Sequence, residues 1–148
     1  MRVQTMGNLE CTKFLEAHRL GHLACCIDNQ PYVVPIYYAL RNIYVYSFTM
    51  PGKKVDIMRH NPRVSLLVEE IAEDGTWKSV IAAGHFEELP DRIGFKIELD
   101  HAWSELSTHV NWWEPGSLKP DAETTSSHSD HLFYRIVIDE LSGREAVD

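Results

Sequence analysis

Two adjacent ammonium side chains, Lys53 and Lys54, stand directly behind Thr49-Met50-Pro51-Gly52 and directly ahead of a short apolar-periodic run, Val55, Ile57 and Met58. Upstream, Tyr44, Tyr46 and Phe48 alternate with Ile43, Val45 and Ser47, the two-residue period of a strand. Pro51 and Gly52 break strand pairing. The helix must close before Asn61-Pro62, because a residue preceding proline is pushed out of the helical region. A strand, a glycine turn, two cations and a helix start therefore coincide within residues 43–63. Free backbone N–H groups and the positive end of the helix dipole would point at the same spot as the ammonium groups, which is phosphate-binding chemistry. A flat aromatic body attached to that phosphate would lie along the preceding strand, so the stretch reads as half of a flavin mononucleotide (FMN) site. On spacing alone, two solvated lysines beside a connecting helix are the commoner outcome of this pattern.

The thiols and imidazoles point less far. Cys11, Cys25 and Cys26 are odd in number, and two are neighbours on a predicted strand, facing opposite ways, so no disulfide framework is expected. His22 with Cys25 and Cys26 lacks the usual zinc spacings. No metal is expected there, and small buried strand cysteines are the alternative. None of the eight histidines is placed as a catalytic base: His60 closes a helix, His85 lies on a strand, and His128 and His131 flank a loop end.

Composition narrows the partners. The 148 residues suit one domain, 1–148, and 44% of them are hydrophobic, enough for a core without disulfide staples. With 22 acidic against 14 basic residues the formal charge is −8, which on balance repels nucleic acid and anionic membrane. A small molecule is the better match. An anion site would then need its own concentrated positive charge, and Lys53-Lys54 is the only adjacent lysine pair. No apolar run approaches the roughly 20 residues that cross a bilayer, and MRVQTMGNLE lacks a signal-peptide core. A cytoplasmic location is expected.

The elements that must hold the lysines follow from the same periodicities. Asn8 is the expected N-cap of a helix carrying Leu9, Cys11, Phe14 and Leu15, closing near His18-Arg19 with Gly21 as its stop and plugging one end of a sheet. Strands are predicted over 22–27, 31–40, 43–48, 63–70, 77–89 and 132–138, with turns at Asp28-Asn29-Gln30, Arg41-Asn42 and 72–75. Pro35 requires its strand to be at an edge, bulged, or opened where something else meets the backbone. Gly84 marks a bulge or a close approach. From Pro90-Asp91 to about His109 a helical stripe uses Ile93, Ile97, Ala102 and Leu106, and residues 110–130 read as an exposed loop, followed after the last strand by a turn and tail over 139–144. The fold class is mainly β with peripheral helices: a six-stranded antiparallel, Greek-key type, closed or nearly closed barrel.

The order GHLACCIDNQPYVVPIYYAL, IYVYSFTMPGKKVDIMRHNPRVSLLVE, WKSVIAAGHFEEL, WWEPG and FYRIVIDELSGR resembles the pyridoxamine 5′-phosphate oxidase-like flavin-binding split barrels, in particular their short bacterial branch. The resemblance implies that Lys53 and Lys54, behind Gly52, hold the FMN phosphate, with Ser47, Phe48 and Thr49 beside the ring and ribityl chain. It implies that Val34, Pro35, Ile36 and Tyr37 line the isoalloxazine, that Ser79 approaches it, and that the protein is a homodimer with flavin at the subunit interface. Trp112 or Trp113 would reach the partner's flavin, or pack locally over the barrel. The chain stops at SGREAVD without the Arg-Leu-x-Pro ending of the authentic vitamin oxidases, so that substrate is not expected. Ser47 stands where relatives resembling nitroimidazole-resistance reductases often carry histidine.

The implied activity is that of a flavin-dependent oxidoreductase acting on a small electron acceptor over an apolar platform of Tyr37, Phe48 and the partner's tryptophans. The alternatives are a flavin-binding or storage module without turnover, or a barrel holding FAD, deazaflavin or haem.

Overall fold

In the computed structural model, which describes residues 1–108 and 132–148, the alternating strands join in one antiparallel sheet. In chain order the elements are β1 (Arg2–Met6), α1 (Asn8–Ala17), β2 (Leu20–Ile27), β3 (Gln30–Tyr37), β4 (Ala39–Arg41), β5 (Tyr44–Thr49), α2 (Lys53–His60), β6 (Arg63–Ile71), β7 (Trp77–Leu89), a 3-10 turn (Ile93–Phe95), α3 (Lys96–Leu106) and β8 (Leu132–Val147). The sheet order is β3-β2-β6-β7-β8-β5-β4, with β1 added on β8. β3 and β4 end this order at opposite sides, yet only Tyr38 separates them in the chain. The sheet therefore returns on itself at that residue, as a split barrel.

The predicted strand over 31–40 is thus two strands. β3 pairs with β2 from Leu20↔Tyr37 to Ile27↔Gln30, and β4 pairs with β5 from Ala39↔Tyr46 to Arg41↔Tyr44. Tyr38, 1% exposed, pins the break: its backbone N–H donates to Arg19 O at 2.8 Å and its Oη donates to Leu15 O at 2.8 Å. Burial pushes its phenol well above the usual range. Tyr38→Phe keeps the ring and loses that donor, so it is expected to cost about 1 kcal/mol, read as a lower urea midpoint at unchanged slope.

Eight strands are present among the described residues where six were expected. β1 carries little core signal, since only Met6 is buried; it exists by pairing with β8 from Arg2↔Val147 to Met6↔Gly143. The expected turn and tail over 139–144 is instead the second half of β8, a polar segment held between β1 and β7. There Glu145, 7% exposed, accepts from Gln4 Nε2 at 2.7 Å and lies 3.7 Å from Lys78 Nζ. Gly21 is not the stop of α1 either. That helix ends at Ala17, and Gly21 lies within β2, where a Cβ would come 2.8 Å from Leu66 Cδ1. Asn8 is the first helical residue and Gly7 the N-cap. Asp28 and Asn29 do form the tight turn, with φ of 50° and 62°, as a two-residue hairpin requires.

Two cores result. Leu23, Ile36, Val45, Leu66, Val80, Tyr134 and Ile136 fill the barrel, and Cys11, Phe14 and Leu15 of α1 join them, as the plug expectation required. Outside it, α3 lies on β5 and β8, burying Tyr46, Phe48, Leu89, Ala102, Leu106 and Phe133 together. Ile93 and Ile97 are not part of the stripe, at 97% and 68% exposed. The helix starts at Lys96, and Leu99, Ala102, Trp103 and Leu106 keep the i, i+3/i+4, i+7 phase that meets Phe133. Among the described residues no helix is long and apolar enough to cross a membrane.

Candidate functional site

β5 ends at Thr49 and α2 begins at Lys53, with Met50, Pro51 and Gly52 between them. Gly52 is fully extended (φ 176°, ψ −171°), no side chain caps the helix, and a Cβ there would meet only Met50 O at 4.0 Å. The N-cap residue therefore brings no capping side chain of its own, and there is room beside it at the helix start. Asp56, exposed in the same turn, offsets part of the helix dipole. The two lysines divide. Lys53 is exposed, with Nζ 5.0 Å from the Tyr32 ring centroid on β3. Lys54 is 7% exposed and turned towards β2, where its charge works against the upward push that burial and the neighbouring Cys26 thiol give Cys25.

Strips far apart in sequence are brought to this helix start. Ser47 Oγ donates to Tyr37 O at 2.7 Å, tying the middle of β5 to the end of β3. The end of β3 thereby meets β5 at Tyr37 and Ser47, and Tyr32 of the same strand meets Lys53 at the start of α2. Pro35 is exposed on β3, an end strand of the sheet, so the edge reading of the proline holds. Ile36, 2% exposed, and half-buried Val34 turn inward, and Arg19 Cζ lies 5.3 Å over the Tyr37 ring. Tyr32 and Arg19 escaped the sequence reading. Tyr32 could have been found by the two-residue period that puts it on the face of Val34, whereas the contact of Arg19 arises only from the fold.

Phe48 needs correction. Its ring is 2% exposed, meets Phe133 edge-on at 4.9 Å, and lies with Ala102 and Leu106 of α3 on the opposite face of β5 from Ser47 and Thr49. Tyr37 and Phe48 therefore make no common platform. Burial of that aromatic stabilises the fold by about 3 kcal/mol. Ser47 and Thr49 are 1% and 0% exposed, the latter donating from Oγ1 to Met50 O at 2.9 Å, so they shape the site from behind.

Ser79 is not gathered with these groups. It lines a separate groove on β7 and β8 with Thr5, Ile81, Ser142, Gly143 and Arg144. Trp112 and Trp113 lie outside the described residues. No group of three or more His, Cys, Asp or Glu side chains among the described residues is arranged to hold a metal ion. What the corner presents is the positive end of a helix and an exposed ammonium, beside β3 at the end of the sheet order, an arrangement whose chemistry suits an anion. Among the described residues placed there, no nucleophile has an adjacent general base.

Residues 8–145 match the family described as pyridoxamine 5′-phosphate oxidase. An uncharacterised protein of Rhizobium meliloti (strain 1021), RA0666, is 47% identical over 146 residues, which span 99% of this chain and 97% of that protein. The crystal structure of an FAD-binding protein from Mesorhizobium loti is 53% identical, with a TM-score of 0.82 over 99% of this chain and 100% of that one. An FAD-binding protein from Mycobacterium smegmatis, 20% identical over 97% of this chain and 100% of its own, shares the fold at a TM-score of 0.71. Since the match runs from the first turn of α1 to the second half of β8 and takes in the whole corner around Lys53, this chain belongs to the pyridoxamine 5′-phosphate oxidase family.

Proposed function

We propose that the chain binds a flavin nucleotide and uses it as an oxidoreductase on a small electron-accepting substrate. The observation that carries this reading is the uncapped start of α2 with exposed Lys53 on it, facing the free edge of β3. Lys53 and the first-turn N–H groups bind the phosphate, with Lys54 adding charge from behind. The β3 backbone from Val34 to Tyr37 orients the ring edge, and Ile36 and Val34 keep water from beneath it. A bound flavin supplies reversible hydride or electron transfer, so no side chain need act as acid or nucleophile.

FMN is the nucleotide that a single phosphate seat suits. The Mesorhizobium loti protein, named as FAD-binding at 53% identity, favours FAD as the second reading, with the same flavin phosphate in the seat and the adenylate beyond it. A homodimer completes the proposal. Val33 and Met50, 59% and 41% exposed beside the corner, are apolar surface that a second copy would cover. The protein is expected to purify yellow with the mass of a dimer in light scattering. Mass measurement of the released ligand distinguishes FMN from FAD, and bleaching by NADPH with reoxidation by an added acceptor supports the enzyme. A yellow protein inert to a broad panel of reductants and acceptors is the storage module; a colourless protein that takes up neither nucleotide overturns both.

A further inference from the structure

Both lysines of α2 settle on one rung of the β2–β3 hairpin. Cys25 and Tyr32 are cross-strand partners in register, and both face the barrel core, on the opposite side of the sheet from exposed Val33. Lys54 lies close enough to Cys25 for its charge to act on that thiol, and Lys53 Nζ stands 5.0 Å from the centre of the Tyr32 ring. The helix is held in place along its length. Val55, Ile57 and Met58 are buried beneath it, and beyond its last turn Asn61 Nδ2 donates to Cys26 O at 2.9 Å. Tyr32 is half-buried, packed against the core as Val34 is. The ring is therefore fixed, and the ammonium comes to it.

What holds a lysine decides what it can still bind. The chain carries 22 acidic residues, yet among the described residues the contact of Lys53 is an aromatic face rather than a carboxylate. A carboxylate in that place would neutralise the ammonium and compete with an incoming anion. An aromatic face does neither. Its quadrupole attracts the cation and leaves it its full charge, with N–H donors on the side away from the ring. A surface lysine otherwise spreads its charge over many rotamers, and their loss opposes binding. A ring that already narrows those rotamers reduces this loss before any ligand arrives.

We infer that Tyr32 is a positioning residue for the anion seat at the start of α2, an inference that rests on the reading of that corner as a flavin phosphate seat. Its ring holds the Lys53 ammonium in place without neutralising it, and so raises the affinity for a flavin that carries a phosphate. Tyr32 acts through Lys53 and not on the flavin itself. Two consequences separate this role from plain support of the fold. The ring matters and the hydroxyl does not, so phenylalanine serves as well as tyrosine. Removal of the ring weakens only ligands that carry the phosphate, and only while Lys53 is present.

Apoprotein of the native chain, of Y32F, Y32L and K53A, and of Y32L combined with K53A is titrated with FMN, with FAD and with riboflavin, which lacks the phosphate, by flavin fluorescence. Y32L is expected to bind the tighter of the two nucleotides about threefold more weakly, the size of one partly exposed cation–π contact, with riboflavin unchanged. Y32F is expected to match the native chain, and Y32L to add nothing to K53A. A ligand-free signature accompanies these constants. In proton–carbon correlation spectra the Lys53 ε-methylene signal, identified by its loss in K53A, is expected upfield from the ring current in the native chain and Y32F, and at the ordinary lysine position in Y32L. Equal nucleotide affinity in Y32L and the native chain, an equal loss for riboflavin, an effect of Y32L that persists with K53A, or a Y32F loss as large as that of Y32L overturns the proposal and leaves the flavin reading standing. A native chain that binds neither nucleotide better than riboflavin removes the phosphate seat, and the proposal with it.

Discussion

Lys53→Ala combined with Lys54→Met is expected to weaken flavin nucleotide retention on the order of 100-fold while leaving far-UV dichroism of the apoprotein unchanged. The reasoning is that a hydrogen bond to a charged group is worth roughly 1.5–3 kcal/mol, and two such contacts to one phosphate combine. The two positions differ, and that difference is itself testable. Lys53 is exposed over Tyr32, so Lys53→Ala alone removes a contact and little packing, with about a tenfold loss expected. Lys54 is 7% exposed beside β2, and methionine keeps its buried stem while removing its charge. Titration of apoprotein with FMN and with FAD, each monitored by flavin fluorescence, supplies the constants. Unchanged affinity for both nucleotides in the double variant removes the anion seat from this corner.

A second large effect is expected far from that corner, at Gly84. Ala83 pairs with Glu140 and Gly84 with Ile138, so Asp139 is the extra residue of a bulge in β8, as the glycine had suggested. At this point the strands approach so closely that a Cβ on Gly84 would enter the shell of the Val137 carbonyl oxygen, which is backbone and cannot turn aside. Gly84→Ala is expected to cost about 3 kcal/mol, the upper end of what overpacking does, and to lower the melting midpoint by about 10 °C. Gly94→Ala, where a Cβ would meet nothing within 4 Å, is the control and is expected to stay within about 0.5 kcal/mol. Equal midpoints for the two variants would mean that the strands separate at the bulge more readily than the packing implies.

What could be read without coordinates was whatever local chemistry dictates. The two-residue period gave β2, β6 and β7 within a residue or two, Asp28-Asn29 the hairpin, Asn61-Pro62 the end of α2, and Pro51-Gly52 ahead of Lys53-Lys54 the corner where an anion seat could lie. These features depend on neighbours within a few residues, and the backbone there has few alternatives.

What local chemistry could not decide was everything that depends on a partner distant in sequence. β1 and the second half of β8 are polar and carry almost no period; they are strands because each satisfies the other's backbone, with β7 on the far side. The division of residues 31–40 at Tyr38 follows from two different partners, β2 and β5, claiming the two halves. Phe48 turned away from the corner because α3, some fifty residues later, supplies the apolar surface that buries it. For the same reason the lysine pair could be located but not apportioned: residue order determined that two cations follow the turn, and only the packing of α2 on β2 decided that Lys53 faces outward while Lys54 is enclosed, since desolvation depends on what lies across space rather than along the chain.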